Sequence, residues 1–198
     1  MDLTEAGALG MACFVDVETT GLCSRKEEVV ELAICLFTFR RESGEIVKVV
    51  DRYVGLREPC VPISPGAARV HGLRIKDLYG KRLDEARIEA MLHAAEFIVA
   101  HNAPFDKGFV TRLFPLTRQK NWLCSMSGIN WKGKGFASRG LQNLLRDHGI
   151  AAGRAHRAED DVLATLELLA RCGTDGRTYF GELLTKLPKE ADSADIAG

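Results

Sequence analysis

A surplus of charge of either sign is missing from this chain: 27 Lys and Arg stand against 27 Asp and Glu, for a formal net charge of +0. That balance excludes a whole-surface basic field, so any grip on nucleic acid must be local and cover few phosphates. No Cys-x-x-Cys occurs among the six cysteines, Cys13, Cys23, Cys35, Cys60, Cys124 and Cys172. Scattered in this way they give neither zinc-ligand spacing nor a disulfide framework. They read as reduced thiols of a cytoplasmic protein, with Cys13 and Cys35 acting as small hydrophobes inside apolar strands. No apolar run reaches membrane-spanning length, and the N-terminal stretch carries Asp2 and Glu5 where a signal peptide would be apolar. A membrane partner is therefore not expected. Internal repeats and low-complexity blocks are also lacking.

What remains is an ordinary globular composition, 46% hydrophobic over 198 residues. It predicts one domain over residues 1–187, with a core at about 12–173, followed by a polar, disordered tail at 188–198. The chain is organised around residues 12–22, Ala-Cys-Phe-Val-Asp-Val-Glu-Thr-Thr-Gly-Leu. Ala12 to Val17 reads as a short buried strand. Asp16 and Glu18 are set into it two positions apart, so they share one face. Two acids on one face of an apolar strand repel each other and lose hydration, and a bound hard cation such as magnesium resolves both problems. An edge strand with its acids in water is the alternative. Thr19, Thr20 and Gly21 then end the strand in a turn.

Val29 to Arg40 and Ile46 to Val54 read as two further strands, joined by the turn Glu42-Ser43-Gly44-Glu45, which predicts an antiparallel meander. Ser64 caps a short helix, Gly66 to His71, that Pro65 opens and Gly72 ends. Leu83 to Ala95 is amphipathic, Glu96 to Ala100 a buried strand, and Pro104 to Leu113 a helix. A strand at Trp122 to Ser125 follows, and then a helix capped by Ser138 and ended by Gly149. Ala158 to Cys172 and about Thr178 to Leu187 complete the helices. The fold class is α/β, with a mixed sheet whose first three strands are antiparallel and which helices flank.

Two further stretches carry acids that draw notice. Asp106 lies in His101-Asn102-Ala103-Pro104-Phe105-Asp106, in the first turn of a helix that Asn102 can cap. That placement is also complete helix chemistry with no ligand. Asp160 and Asp161 open the long helix about 100° apart on the wheel, so only one can face a given site. Asp161 shares a face with Thr165 and Leu168. His156, five residues before Asp161, titrates in a range that lets a loop histidine take a proton from water.

The three blocks, Asp16-x-Glu18, His-Asn-x-x-Phe-Asp106 and His156-x-x-x-x-Asp161, resemble in order and spacing the DEDDh 3′–5′ exonucleases, which include replicase epsilon proofreading subunits and ribonuclease T. The resemblance spans about Cys13 to Ala170. It implies a ribonuclease H-like fold and a metal-dependent exonuclease acting on the 3′ end of single-stranded nucleic acid, DNA ahead of RNA. It further implies that Asp16, Glu18, Asp106 and Asp161 hold two magnesium or manganese ions, with His156 as general base, and that nucleoside 5′-monophosphates are released. Thr19, Thr20, Leu22, Val70, His71 and Asn102 are the implied substrate contacts, although Val70 reads equally as core. The loop Trp131 to Arg139 interleaves basic and aromatic residues. It either holds phosphates and stacks bases or is a solvated loop with Phe136 in the core. RNA 3′-end trimming, or a polymerase-associated accessory module, are the alternative functions. No clamp-binding pattern marks the tail, so a DNA polymerase partner is left open.

Overall fold

The computed structural model describes residues 8–151 and 157–188. His156 and the tail from residue 189 onward lie outside them. Three strands come first: β1 (Leu9–Thr19), β2 (Val29–Arg40) and β3 (Ile46–Leu56). The helices α1 (Pro65–His71), α2 (Ile75–Leu78) and α3 (Glu85–Ala94) follow. Strand β4 (Phe97–Ala100), helix α4 (Ala103–Leu113), a 3-10 turn at Pro115–Arg118, strand β5 (Asn121–Cys124) and helix α5 (Ser125–Gly128) come next. The described chain closes with α6 (Leu141–Asp147), α7 (Ala158–Ala170) and α8 (Tyr179–Leu184).

The sheet runs β3-β2-β1-β4-β5. β1 pairs antiparallel with β2, and β2 with β3, as the meander requires. β4 then lies parallel to β1 on its free side, and β5 parallel to β4. The long connection from β3 to β4 carries the first three helices, which is the length a parallel neighbour demands. The sheet is therefore mixed, as expected from sequence.

Alternation along the strands builds two cores. Ala12 and Phe14 of β1, with Ala33, Cys35 and Phe37 of β2, face the layer of α6, α7 and α8. Cys13, Val15 and Val17, with Leu32, Ile34 and Leu36, face α3 and α4. Asp16 and Glu18 share the parity of Phe14, so both are turned toward α7.

Several boundaries differ from the sequence expectation. β1 extends beyond Ala12 to Val17 at both ends because β2 offers a partner for nearly every residue, and Gly10 permits Phe39 to lie where a Cβ would collide. β3 reaches Leu56, beyond Val54, for the same reason. Helix α2 escaped the sequence reading, since its four residues are too short for a periodic signal. Asn102 stands at the start of α4 but its side chain makes no capping bond, because it adopts φ 74 and ψ 46. A capping side chain needs extended backbone there. Ser138 caps no helix either: its Oγ accepts from the Gly140 amide and from Asn143 Nδ2, and α6 starts only at Leu141. α7 ends at Ala170, and Cys172 pairs across to Thr178 as an isolated bridge. All six cysteines are free thiols. Among the described residues no helix is long and apolar enough to cross a membrane.

Candidate active site

Three elements converge at the C-terminal end of β1. The strand brings Asp16 and Glu18, and a register shift between Glu18 and Thr19 ends its regular pairing with β2. α4 starts directly after β4, the parallel neighbour, and places Asp106 in its first turn. The Asp106 carboxylate accepts the Val17 amide at 3.2 Å, which ties the helix start to the strand between the two β1 acids. α7 packs on the Phe14 face and sends in Asp161, which is 5% exposed, while Asp160 turns aside as the wheel predicts. Carboxylate oxygens of Asp16, Glu18 and Asp161 lie within 4.8 Å of one another. All four acids line one cavity of about 490 Å³.

Electrostatics make this gathering unfavourable without a counter-charge. Burial pushes the Asp16 carboxyl well above its usual range, and the neighbouring Asp106, Glu18 and Asp161 push it further. Glu18 rises to about 8, through burial first and then Asp161 and Glu31, against the opposing guanidinium of Arg157. Asp106 is also raised, chiefly by burial, although two backbone amides hold it down in part. Oxygen-only donors, like-charged and partly desolvated, are the ligand set of a hard divalent cation. The residues present thus fit a bound metal.

Four residues the sequence reading left unassigned shape this cavity. Gln142 of α6 donates Nε2–H to Asp161 Oδ1 at 2.8 Å and so fixes that carboxylate's rotation. Glu31 of β2 sits opposite Glu18 in the strand register and is 1% exposed. Arg157, just before α7, binds it through Nε and Nη2, and the Ala158 amide adds a further bond at 3.0 Å. His101 donates Nε2–H to the Arg139 carbonyl at 3.0 Å and accepts from Ser125 Oγ at 2.9 Å. Burial holds its pKa down at about 4, so the ring is neutral at neutral pH. A charge inside the apolar run Val-Val-Glu-Leu-Ala-Ile was the available signal for Glu31, the same signal that marked Asp16. Nothing in the sequence marks Gln142.

The expected substrate contacts fall into two groups. Leu22 is 88% exposed and Val70 51% exposed, so Val70 is not core. Thr19, Thr20 and His71 are buried. The Thr19 hydroxyl donates to the Gly21 carbonyl and the Thr20 hydroxyl to Glu27, while the Thr20 amide donates to the Glu28 carbonyl and its carbonyl accepts the Ser64 amide, so these groups tie the turn together. His71 donates Nε2–H to the Thr19 carbonyl at 3.2 Å and accepts the Leu73 amide at Nδ1, so it braces the β1 turn from α1. Asn102, exposed, lines the acid cavity. The loop's aromatic residues point inward. Trp131 is 2% exposed and donates to the Ser125 carbonyl, and Phe136 stacks on His148 with ring centres 4.5 Å apart. Stacking on substrate bases is thereby removed for Trp131.

Comparison with known proteins bears on the family and the fold. The family model for the ribonuclease T group, described as Exonuclease, matches residues 13–169. The PolC-type DNA polymerase III of Thermotoga maritima is 28% identical over 186 residues, which covers 86% of this chain but 12% of that protein. The chain thus spans about an eighth of the length of that relative. The DNA polymerase III subunit epsilon of Treponema pallidum is 29% identical over 164 residues, 77% of this chain and 72% of the subunit. A zinc-bound complex of E. coli exonuclease I with single-stranded DNA superposes with a TM-score of 0.63 at 18% identity, over 81% of this chain and 40% of that one. At that identity the likeness speaks for the fold.

Proposed function

This chain belongs to the exonuclease family, and from that premise we propose that it hydrolyses single-stranded DNA stepwise from the 3′ end, releasing nucleoside 5′-monophosphates. The observation that carries the reading is the convergence of Asp16, Glu18 and Asp161 oxygens within 4.8 Å, with Asp106 bonded to the strand between the first two. These four carboxylates are the proposed holders of two magnesium or manganese ions. When bound, such ions neutralise phosphoryl charge and ease ionisation of a water.

The chain's own groups supply the remainder. Gln142 and the Val17 amide keep Asp161 and Asp106 in the rotations that face the cavity. His156, two positions ahead of Ala158, takes the proton of the attacking water. Water oxygen bonds to phosphorus as the bond to the 3′-oxygen of the preceding nucleotide breaks, and that oxygen leaves to be protonated. The turn that Thr19 and Thr20 form, with Leu22 and Val70, borders the terminal nucleotide, and His71 holds that border in place. Asn102 lies beside it.

DNA is favoured because the relatives described above carry the names of DNA polymerase III and its epsilon subunit. Those names also make a DNA polymerase the proposed partner, in the cytoplasm, for a single exonuclease domain with its core at about 12–173. The test uses 5′-labelled DNA and RNA strands of one sequence with magnesium, manganese or chelator. A ladder that shortens from the 3′ end, faster on DNA and lost in chelator, is the expected result. No ladder on either strand overturns the reading, and a faster RNA ladder replaces DNA editing by RNA trimming.

A further inference from the structure

A second cleft of the described residues is larger than the acid cavity. It has a volume of about 620 Å³ and is walled by the loop from Ser127 to Arg139 and by α8 and the turn after it. That size is in the range of ligand pockets, roughly 300–1,000 Å³. Three cations line it: Lys132, Arg139 and Lys186, all exposed. Among the described residues none of the three is held in an ion pair. The one lining acid, Glu182, is already neutralised. Lys134 Nζ approaches it to 2.8 Å, and the Asn130 amide donates to its other oxygen at 3.1 Å. In a chain of zero net charge this is a local positive field in a concave wall, where field lines concentrate.

The cleft adjoins the acid cavity. Ser138 and Arg139 border the one, and Gly140 to Asn143 border the other. The Arg139 carbonyl is pinned to His101, which lines the acid cavity. The proposed terminal-nucleotide border shares no residue with the cleft and is built where His71 joins α1 to Thr19, the residue after Glu18. A strand entering from the cleft would pass His101 and Gly140, reach the acids, and end at Leu22 and Val70.

Resting on the exonuclease reading above, we propose that this cleft is a second nucleic-acid subsite that takes the phosphodiester backbone of the single strand upstream of the nucleotide being removed. Lys132, Arg139 and Lys186 are its phosphate partners. Trp131 is buried and the half-buried Phe136 is stacked on His148, so the cleft's exposed side chains offer charge in the main. Backbone contacts fix position without reading sequence, which suits an enzyme that must step along any strand.

The experiment compares wild type with the Lys132→Ala/Lys186→Ala double variant. Binding of a fluorescein-labelled twelve-nucleotide thymidine oligomer is followed by anisotropy in chelator across a salt series. Turnover is followed with manganese on that oligomer and on a thymidine dinucleotide. Each phosphate contact contributes about 0.7 to the slope of log affinity against log salt on a single strand, so the double variant should lose about 1.4. KM on the long oligomer should rise several-fold and dinucleotide turnover should stay at the wild-type value. Lys132→Arg/Lys186→Arg should restore the slope. An unchanged slope, an equal loss on the dinucleotide, or no rescue by arginine overturns the subsite. A wild type that cleaves neither substrate defeats the exonuclease reading instead, while the slope in chelator still decides the cleft.

Discussion

Arg157 Nε lies 3.1 Å from Glu31 Oε2, with its Nη2 on the other oxygen, so the residue that leads into α7 is clasped to the start of β2. The Ala158 amide shares the same carboxylate. Glu31 stands across the ladder from Glu18, and Asp161 lies one turn beyond Arg157 on α7. One ion pair therefore sets the start of the helix that carries an acid against the strand that carries two more. The Arg157 guanidinium also tempers the raised pKa of Glu18.

Removing that clasp should cost stability and site geometry together. Glu31→Ala leaves a guanidinium that is one-quarter exposed, so the loss belongs at the lower end of the range for breaking a buried pair, about 3 kcal/mol. Urea denaturation reads it directly, and manganese affinity should fall in the same variant. An unchanged midpoint would show that α7 is held by packing alone.

Asp16→Asn removes a charge from the centre of the acid cluster while keeping the side chain's size. Divalent-dependent turnover should vanish, and the metal-free protein should become more stable because a repulsive, desolvated carboxylate is gone. Calorimetry with the 3′-end ladder assay tests both. A variant that still shortens DNA would sink the site assignment.

The raised carboxyls give the metal-free fold a definite pH dependence. Glu18 titrates at about 8 in the fold against an ordinary 4.5, and Asp16 and Asp106 are raised in the same direction. The folded state holds protons that the unfolded chain releases, so stability falls as pH rises toward 8. His101 acts oppositely, since its pKa falls from 6.5 to about 4, and its contribution is complete above 6.5. The net decline in Tm should therefore stand clear between about pH 6.5 and 8 in chelator. Manganese should reverse it, because metal affinity rises as its ligands lose protons. A flat profile in chelator would contradict the clustering of charge.

His156→Ala should lower kcat by roughly 10²–10⁴-fold, the usual contribution of a general base. Metal affinity, measured by manganese titration, should survive. Turnover at the wild-type rate would remove His156 from the chemistry.

Much of the site was legible because its signals are local. Asp16 and Glu18 announce themselves as charges inside an apolar strand, and the parity of strand positions puts them on one face. The wheel of α7 separates Asp161 from Asp160, and the burial of Asp161 follows it. The caps misled in two places. Asn102 and Ser138 are good capping residue types, but Asn102 takes a left-handed backbone and Ser138 serves its own turn. Local propensity there yielded to the loops that deliver α4 and α6 to the cavity.

By itself the sequence determined the strand meander, the helix faces and the three acidic blocks, since periodicity and a misplaced charge are read within one element. Only the tertiary structure decided what each block meets. The parallel insertion of β4 beside β1 brought Asp106 to the Val17 amide. The clasp of Arg157 on Glu31 spans more than a hundred residues and fixes where α7 begins. The inward turn of Trp131 left its loop a wall whose exposed long side chains, Lys132 and Arg139, are basic. Such contacts depend on packing between distant segments, where burial and charge pairing settle an orientation that no local propensity encodes.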